Sequence, residues 1–103
     1  MRRRVATRSF HRGGTLLPPH AAHFKGRAIR LSPGQAIEWH STRRREEVLL
    51  VFRGAISLER CSDGERIQTM TLSAGRLAFI PAQTWHRVVN RSRRQAHYIY
   101  LTA

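Results

Sequence analysis

The sequence predicts an all-β protein, a sandwich or jelly-roll barrel with little or no helix. Three observations predict it. The apolar residues fall in short runs, either alternating or wholly apolar, such as Val48–Phe52 and Leu77–Ile80. Turn residues punctuate these runs at regular intervals: Ser32-Pro33-Gly34, Gly54, Asp63-Gly64 and Ser73-Ala74-Gly75. No stretch carries the 3.6-residue period of a helix packed on a core. The 103 residues suit one domain with its own core, and no internal repeat or second domain is visible.

Residues 1–26 read as a basic N-terminal arm, with room for one short strand at Val5–Phe10. Gly13-Gly14 and Pro18-Pro19 break any long amphipathic helix there, and no apolar segment follows the basic start as a secretory signal would require. His20 and His23 lack a third ligand nearby and read as a solvated loop. The domain proper is expected over 27–103. Arg27–Leu31 alternates and opens it. Ser32-Pro33-Gly34 turns the chain, and Gln35–His40 returns with Ala36, Glu38 and His40 on one face and Ile37 and Trp39 on the other. The polar run Ser41–Arg45 turns the chain again. Glu47 then starts a strand, Val48–Phe52, that is apolar on both faces and therefore needs cover on its outside. A chain this small has few spare elements, so sheets packed together from two chains, a homodimer, are expected. Gly54 allows a bend before Ala55–Arg60. Asp63-Gly64 signals a two-residue hairpin that leads into Ile67–Leu72. Leu77–Ile80 ends at Pro81, Trp85–Asn90 follows, and His97–Leu101 closes the order.

The formal charge is +13, from 18 arginines and one lysine against six acids. Such a bias suits nucleic acid, anionic surfaces or anionic ligands. No zinc finger, basic helix or aromatic RNA-binding signature accompanies it, so only salt-sensitive, non-specific association with nucleic acid is expected. The single cysteine, Cys61, excludes an intrachain disulfide, which favours a reducing compartment and a cytoplasmic location. No apolar run approaches the ~18 residues that span a membrane.

Two segments carry the chemistry, 34–54 and 75–90. Each reads as strand, tight connection, strand, and each has a histidine at the end of an alternating run. Across the turn after His40, Glu47 can meet His40 on one face. In the second segment His86, Val88 and Asn90 share a face, opposite Arg87 and Val89. If the two segments pack as facing sheets, two imidazoles and a carboxylate converge in the interior, where polar groups are costly unless paired or bound to a metal. Two histidines and a carboxylate with open positions form the facial-triad pattern of non-haem iron, and suit other divalent metals too.

These segments resemble the two signature motifs of the cupin superfamily. Gly34, His40, Glu47 and Gly54 fall on the first motif, and Gly75, Pro81, His86 and Asn90 on the second. Thr42 stands where the first motif usually has another histidine, and Gln83 where the second usually has glycine. The resemblance covers about residues 27–102. It implies a double-stranded β-helix, or jelly-roll barrel, with one divalent metal ion (Fe, Mn, Ni or Zn) on His40, Glu47 and His86. Thr42 leaves that set one ligand short. Cupins include dioxygenases, isomerases, decarboxylases and storage proteins, so the fold does not name the reaction. The expected partner is a small molecule, which is either transformed or, in a metal-free relative, only bound and sensed.

The remaining candidates are placed by position. Arg43, Arg44 and Arg45 sit between His40 and Glu47, and Arg91, Arg93 and Arg94 follow the second motif; at least one of these clusters is expected to draw anionic ligands. Glu46 reads as a solvated turn residue or an arginine's partner. Trp39 and Trp85 each precede a proposed ligand and should face away from it. His97, Tyr98 and Tyr100 lie on the last strand, and one parity of it is expected to line the barrel.

Overall fold

The computed structural model describes residues 4–61 and 66–103, in which nine strands and no helix form two facing antiparallel sheets. The strands are β1 (Gly14–Thr15), β2 (Lys25–Leu31), β3 (Ala36–Ser41), β4 (Glu47–Arg53), β5 (Ala55–Cys61), β6 (Ile67–Ser73), β7 (Leu77–Ile80), β8 (Trp85–Val89) and β9 (Ala96–Thr102). One sheet runs β1-β2-β9-β4-β7 and the other β3-β8-β5-β6. Apart from the β1–β2 and β5–β6 neighbours, consecutive strands cross between the sheets, as a jelly roll requires. The Asp63-Gly64 hairpin signal lies outside the described residues.

Register determines which side chains meet inside. Leu49 and Val51 of β4 pair with Tyr100 and Tyr98 of β9, which pair in turn with Arg27 and Ile29 of β2. In the facing sheet Ile56 and Leu58 of β5 pair with Leu72 and Met70 of β6, and Leu58 with Val88 of β8. Residues opposite one another in a ladder share a face, so these rows face each other across the interior. The buried core is Leu31, Leu49, Val51, Ile56, Leu58, Leu72, Ile80, Val88, Ala96 and Tyr98.

Two local features set the site's frame. Gly54, between β4 and β5, has φ 72°, and a Cβ there would come 2.6 Å from the Gln95 carbonyl oxygen, so only glycine makes this bend. Asn90 is fully buried. Its Nδ2 donates to the carbonyls of Leu31 and Arg94, and its Oδ1 accepts from the Ser92 amide and hydroxyl. Its backbone also pairs with Gly34 and Gln35, which clamps the end of β8 to the turn before β3.

Two expectations are corrected. Strict alternation in Gln35–His40 fails because β3 carries a bulge: Ile37 pairs with Val88 and His40 with His86, three residues spanning two. Ile37 and His40 therefore line the same cavity, while Glu38 is exposed. The N-terminal strand is not at Val5–Phe10, where the backbone has no ladder partner. It is Gly14–Thr15, paired with Ala28 and Arg27. Phe10 instead packs edge-on against Phe52, with centroids 4.9 Å apart, and His97 meets the same ring. The arm thus gives Phe52 part of the cover that β4 needs on its outside.

Candidate metal centre

His40 lies near the end of β3, His86 near the start of β8, and Glu47 opens β4 in the facing sheet. His40 and His86 are direct cross-strand partners, with ring centroids 4.3 Å apart and planes at 56°. Glu47 reaches them from across the barrel, its Oε1 3.8 Å from His86 Nε2. One ligand atom from each of the three residues lies within 4.8 Å of the other two, and this is the cluster among the described residues with metal-holding spacing. His86 is 1% exposed, Glu47 7%, and His40 is half-buried.

The backbone orients both rings. His86 Nδ1 lies 3.0 Å from the Thr84 carbonyl oxygen, and His40 Nδ1 lies 2.7 Å from that of Glu38. A carbonyl only accepts, so each Nδ1 carries a proton and Nε2 is the ring atom left to act as a metal ligand. This is the arrangement that prepares an imidazole for metal ligation. His86 Nε2 is buried and has no hydrogen-bond partner among the described residues.

Burial shifts both buried groups toward neutrality. The Glu47 carboxyl is pushed up from 4.5 by desolvation, partly countered by the nearby His40. The His86 imidazole is held below 6.5, chiefly by desolvation and further by His40, against the Thr84 carbonyl. Burial also raises the Tyr98 and Tyr100 phenols, so both stay protonated.

The triad lines a cavity of about 420 Å³, shared with Ile37, Val88, Thr42, Tyr100 and three arginines, Arg27, Arg43 and Arg45. A larger hollow of about 610 Å³ lies along β2 and β3, but it is open and none of the triad lines it. Tyr100 of the last strand therefore reaches the cavity. Tyr98 is in the core, and His97 faces outward against Phe52.

Thr42 is near the triad but is fully engaged. Its hydroxyl donates to the Pro81 carbonyl (2.7 Å) and accepts the Thr84 amide (3.0 Å), so it joins the two motif loops. Gln83 sits at φ 59°, in the left-handed region where the resembling motif has glycine. The arginine clusters divide. Arg43 and Arg45 line the cavity, although Arg45 is also braced by Thr102 and the His23 carbonyl. Arg91 lies away from it, paired with Glu59 at 3.1 Å. Glu59 also accepts from Arg87 at 2.5 Å and from Thr69, and the Arg87 bond leads in holding its carboxyl below 4.5. Trp39 and Trp85 stack on each other outside the barrel, planes 10° apart, with Arg87 over Trp39. Glu46 is an exposed turn residue whose backbone pairs with Ala103. Arg27 escaped the sequence reading, which took Arg27–Leu31 only as the alternating first strand; it is exposed and lines the cavity from that strand.

The fold and this site define a class, the cupin barrels. The chain belongs to the cupin family: the cupin domain matches residues 27–102. No curated protein matches the chain. Among solved structures it is similar to a cupin 2 conserved barrel domain protein from Salinispora arenicola, at 26% identity and TM-score 0.71, covering 88% of this chain and 73% of that one. The Cnp3 cupin domain of Schizosaccharomyces pombe has 11% identity and TM-score 0.75, with 88% of this chain and 59% of that chain covered. An oxalate oxidase in complex with the substrate analogue glycolate has 18% identity and TM-score 0.70 over 77% of this chain, which spans only 41% of the oxidase's length. No helix among the described residues is long and apolar enough to cross a membrane.

Proposed function

We propose that this cupin holds one divalent metal ion on His40, Glu47 and His86, and binds or transforms a small anionic metabolite beside it. The observation that carries the reading is the buried Nε2 of His86, without a hydrogen-bond partner among the described residues and 3.8 Å from Glu47 Oε1. A buried polar atom without a partner is costly, and a cation among the three groups would satisfy it. Two imidazoles and a carboxylate suit iron, manganese, nickel and zinc alike. When bound, the ion would supply Lewis acidity, or oxygen chemistry if it is a redox metal.

The chain's own residues do the rest. The Thr84 and Glu38 carbonyls hold the two rings in place, and the Tyr100 phenol stays protonated as a donor lining the cavity. Arg27 and Arg43 line the same cavity and favour a carboxylate or phosphate there. The oxalate oxidase neighbour is in complex with glycolate, a small carboxylate of the same chemical class.

The test is elemental analysis of protein purified without a metal-affinity column, beside the His86→Ala variant. About one metal per chain in the wild type and much less in the variant is expected. Iron would direct assays toward dioxygenase chemistry, and zinc or manganese toward isomerase and lyase chemistry. No metal in either protein, and none taken up on reconstitution, would overturn the reading. It would favour a non-catalytic, metal-free metabolite-binding barrel, which the engagement of Thr42 as a structural clamp supports.

The reading includes a homodimer. On the outer face of the five-stranded sheet, Leu101, Val48 and Phe79 form one cross-strand row and Ile99, Leu50 and Leu77 the next. Leu77 and Phe79 are 56% and 55% exposed. These six positions carry no charge in a chain of net +13, so this is a face on which two copies can meet without bringing arginines together.

A further inference from the structure

His86 borders a second cavity. This chamber, about 330 Å³, shares only His86 with the arginine-lined cavity and is walled by Leu58, Met70, Ala78 and Ile80, with Arg60 as its one charged lining residue among the described residues. Its position follows from topology. Among the described residues β6 pairs only with β5, and β7 only with β4, so each sheet ends here in an edge strand. Small-molecule sites are commonly such hollows, mostly apolar with a few polar groups that fix orientation.

Arg60 is the informative residue. It pairs directly with His86, which pairs directly with His40, so the three stand in one cross-strand row on the inner face. Arg60 is exposed, at the open end of the parity that Ile56 and Leu58 fill with buried apolar side chains. Its guanidinium donates to Gln68 Oε1 at 3.1 Å. Among the described residues it has no carboxylate partner, and a guanidinium has five donors in a fork that fits a carboxylate. Thr84, whose carbonyl orients His86, lines the same chamber.

We propose that this chamber is a separate binding site for a small organic monocarboxylate with an apolar body: Arg60 takes the carboxylate, and Met70, Ala78, Leu58 and Ile80 take the apolar body. The site needs no metal. It abuts the triad through His86 and Thr84, so its occupant touches the groups that hold that ring in place.

The test is titration of metal-free and zinc-treated protein with octanoate, octanol and acetate, followed by calorimetry and amide chemical shifts. Octanoate is expected to bind, acetate to bind far more weakly for lack of an apolar body, and octanol more weakly for lack of charge. Arg60→Gln should weaken octanoate at least about tenfold and leave octanol within about twofold. Met70→Glu, at an exposed wall position, should abolish octanoate binding by placing a like charge at the chamber. Shift changes should centre on β6, β7 and Thr84, and should appear with or without zinc. Failure of the metal reading would show as no zinc uptake with octanoate binding intact. Octanoate binding that ignores Arg60→Gln, that Arg43→Gln removes instead, or that octanol matches would overturn the proposal, as would no binding at all.

Discussion

The Thr42 hydroxyl donates to the Pro81 carbonyl at 2.7 Å, tying the loop after β3 to the loop before β8. The same oxygen accepts the Thr84 amide, and the Thr42 amide donates back to the Thr84 carbonyl. Thr84 in turn orients His86, so the position that lacks a histidine supports the histidine that is present. Replacing Thr42 by valine keeps the shape but leaves the Pro81 carbonyl and the Thr84 amide unpaired. A loss of about 1–3 kcal/mol in stability is expected by urea unfolding. A change within error would mean that water replaces the hydroxyl at no net cost.

Gln83 lies opposite Arg43 in these loops, its amide donating to the Arg43 carbonyl at 2.7 Å, and both have positive φ. A side chain in the left-handed region costs roughly 1–2 kcal/mol, and glycine gives back roughly 0.4–1 kcal/mol in unfolded-state entropy. Gln83→Gly should therefore stabilise the protein by about 0.5–1 kcal/mol, seen as a higher Tm. A lower Tm would show that the Gln83 side chain contributes more than its backbone strain removes.

The proposed metal site should be sensitive to acid. A raised Glu47 pKa means that a proton competes for the carboxylate as pH falls, while the lowered His86 pKa keeps its Nε2 lone pair available below 6.5. Zinc uptake measured by equilibrium dialysis is expected to hold near neutral pH and to fall as pH drops through the raised Glu47 value. The sign reverses for metal-free stability. A raised carboxyl contributes stability in full below its ordinary value, and that contribution disappears as pH rises through the folded value. Metal-free Glu47→Gln should therefore melt higher than the metal-free wild type at neutral pH and take up little zinc. Equal melting temperatures at pH 7 would contradict the desolvation of Glu47.

The apolar rows outside the five-stranded sheet make a concentration-dependent prediction. Leu77→Lys with Phe79→Lys adds two charges at exposed sites, where folding should be little affected. Sedimentation equilibrium should give a dimer for the wild type and a monomer for the double variant. A monomeric wild type at tens of micromolar would rule out this face as a stable self-interface.

Much of the barrel was legible because strand, turn and strand recur with glycine or proline at most corners, and because His40, Glu47 and His86 sit at strand ends. Three features were not. The β3 bulge has no glycine or proline to mark it, so alternation assigned Ile37 to the wrong face. Arg27 and Arg60 are exposed yet line cavities, and a sequence does not distinguish such a charge from one on a solvated face. The arm's cover of Phe52 rests on aromatic edge contacts from Phe10, which leave no periodic pattern. The division of the arginines also needed coordinates, since Arg91 joins Glu59 from a distant strand.

The chain's two tryptophans, Trp39 and Trp85, are stacked 6.5 Å apart, and each is bonded in sequence to a triad histidine. All indole emission and any exciton coupling in circular dichroism therefore arise from a single pair straddling the β3–β8 seam. The protein carries its own optical gauge: a small slip between the strands bearing His40 and His86 changes the overlap of two transition dipoles, with no label required.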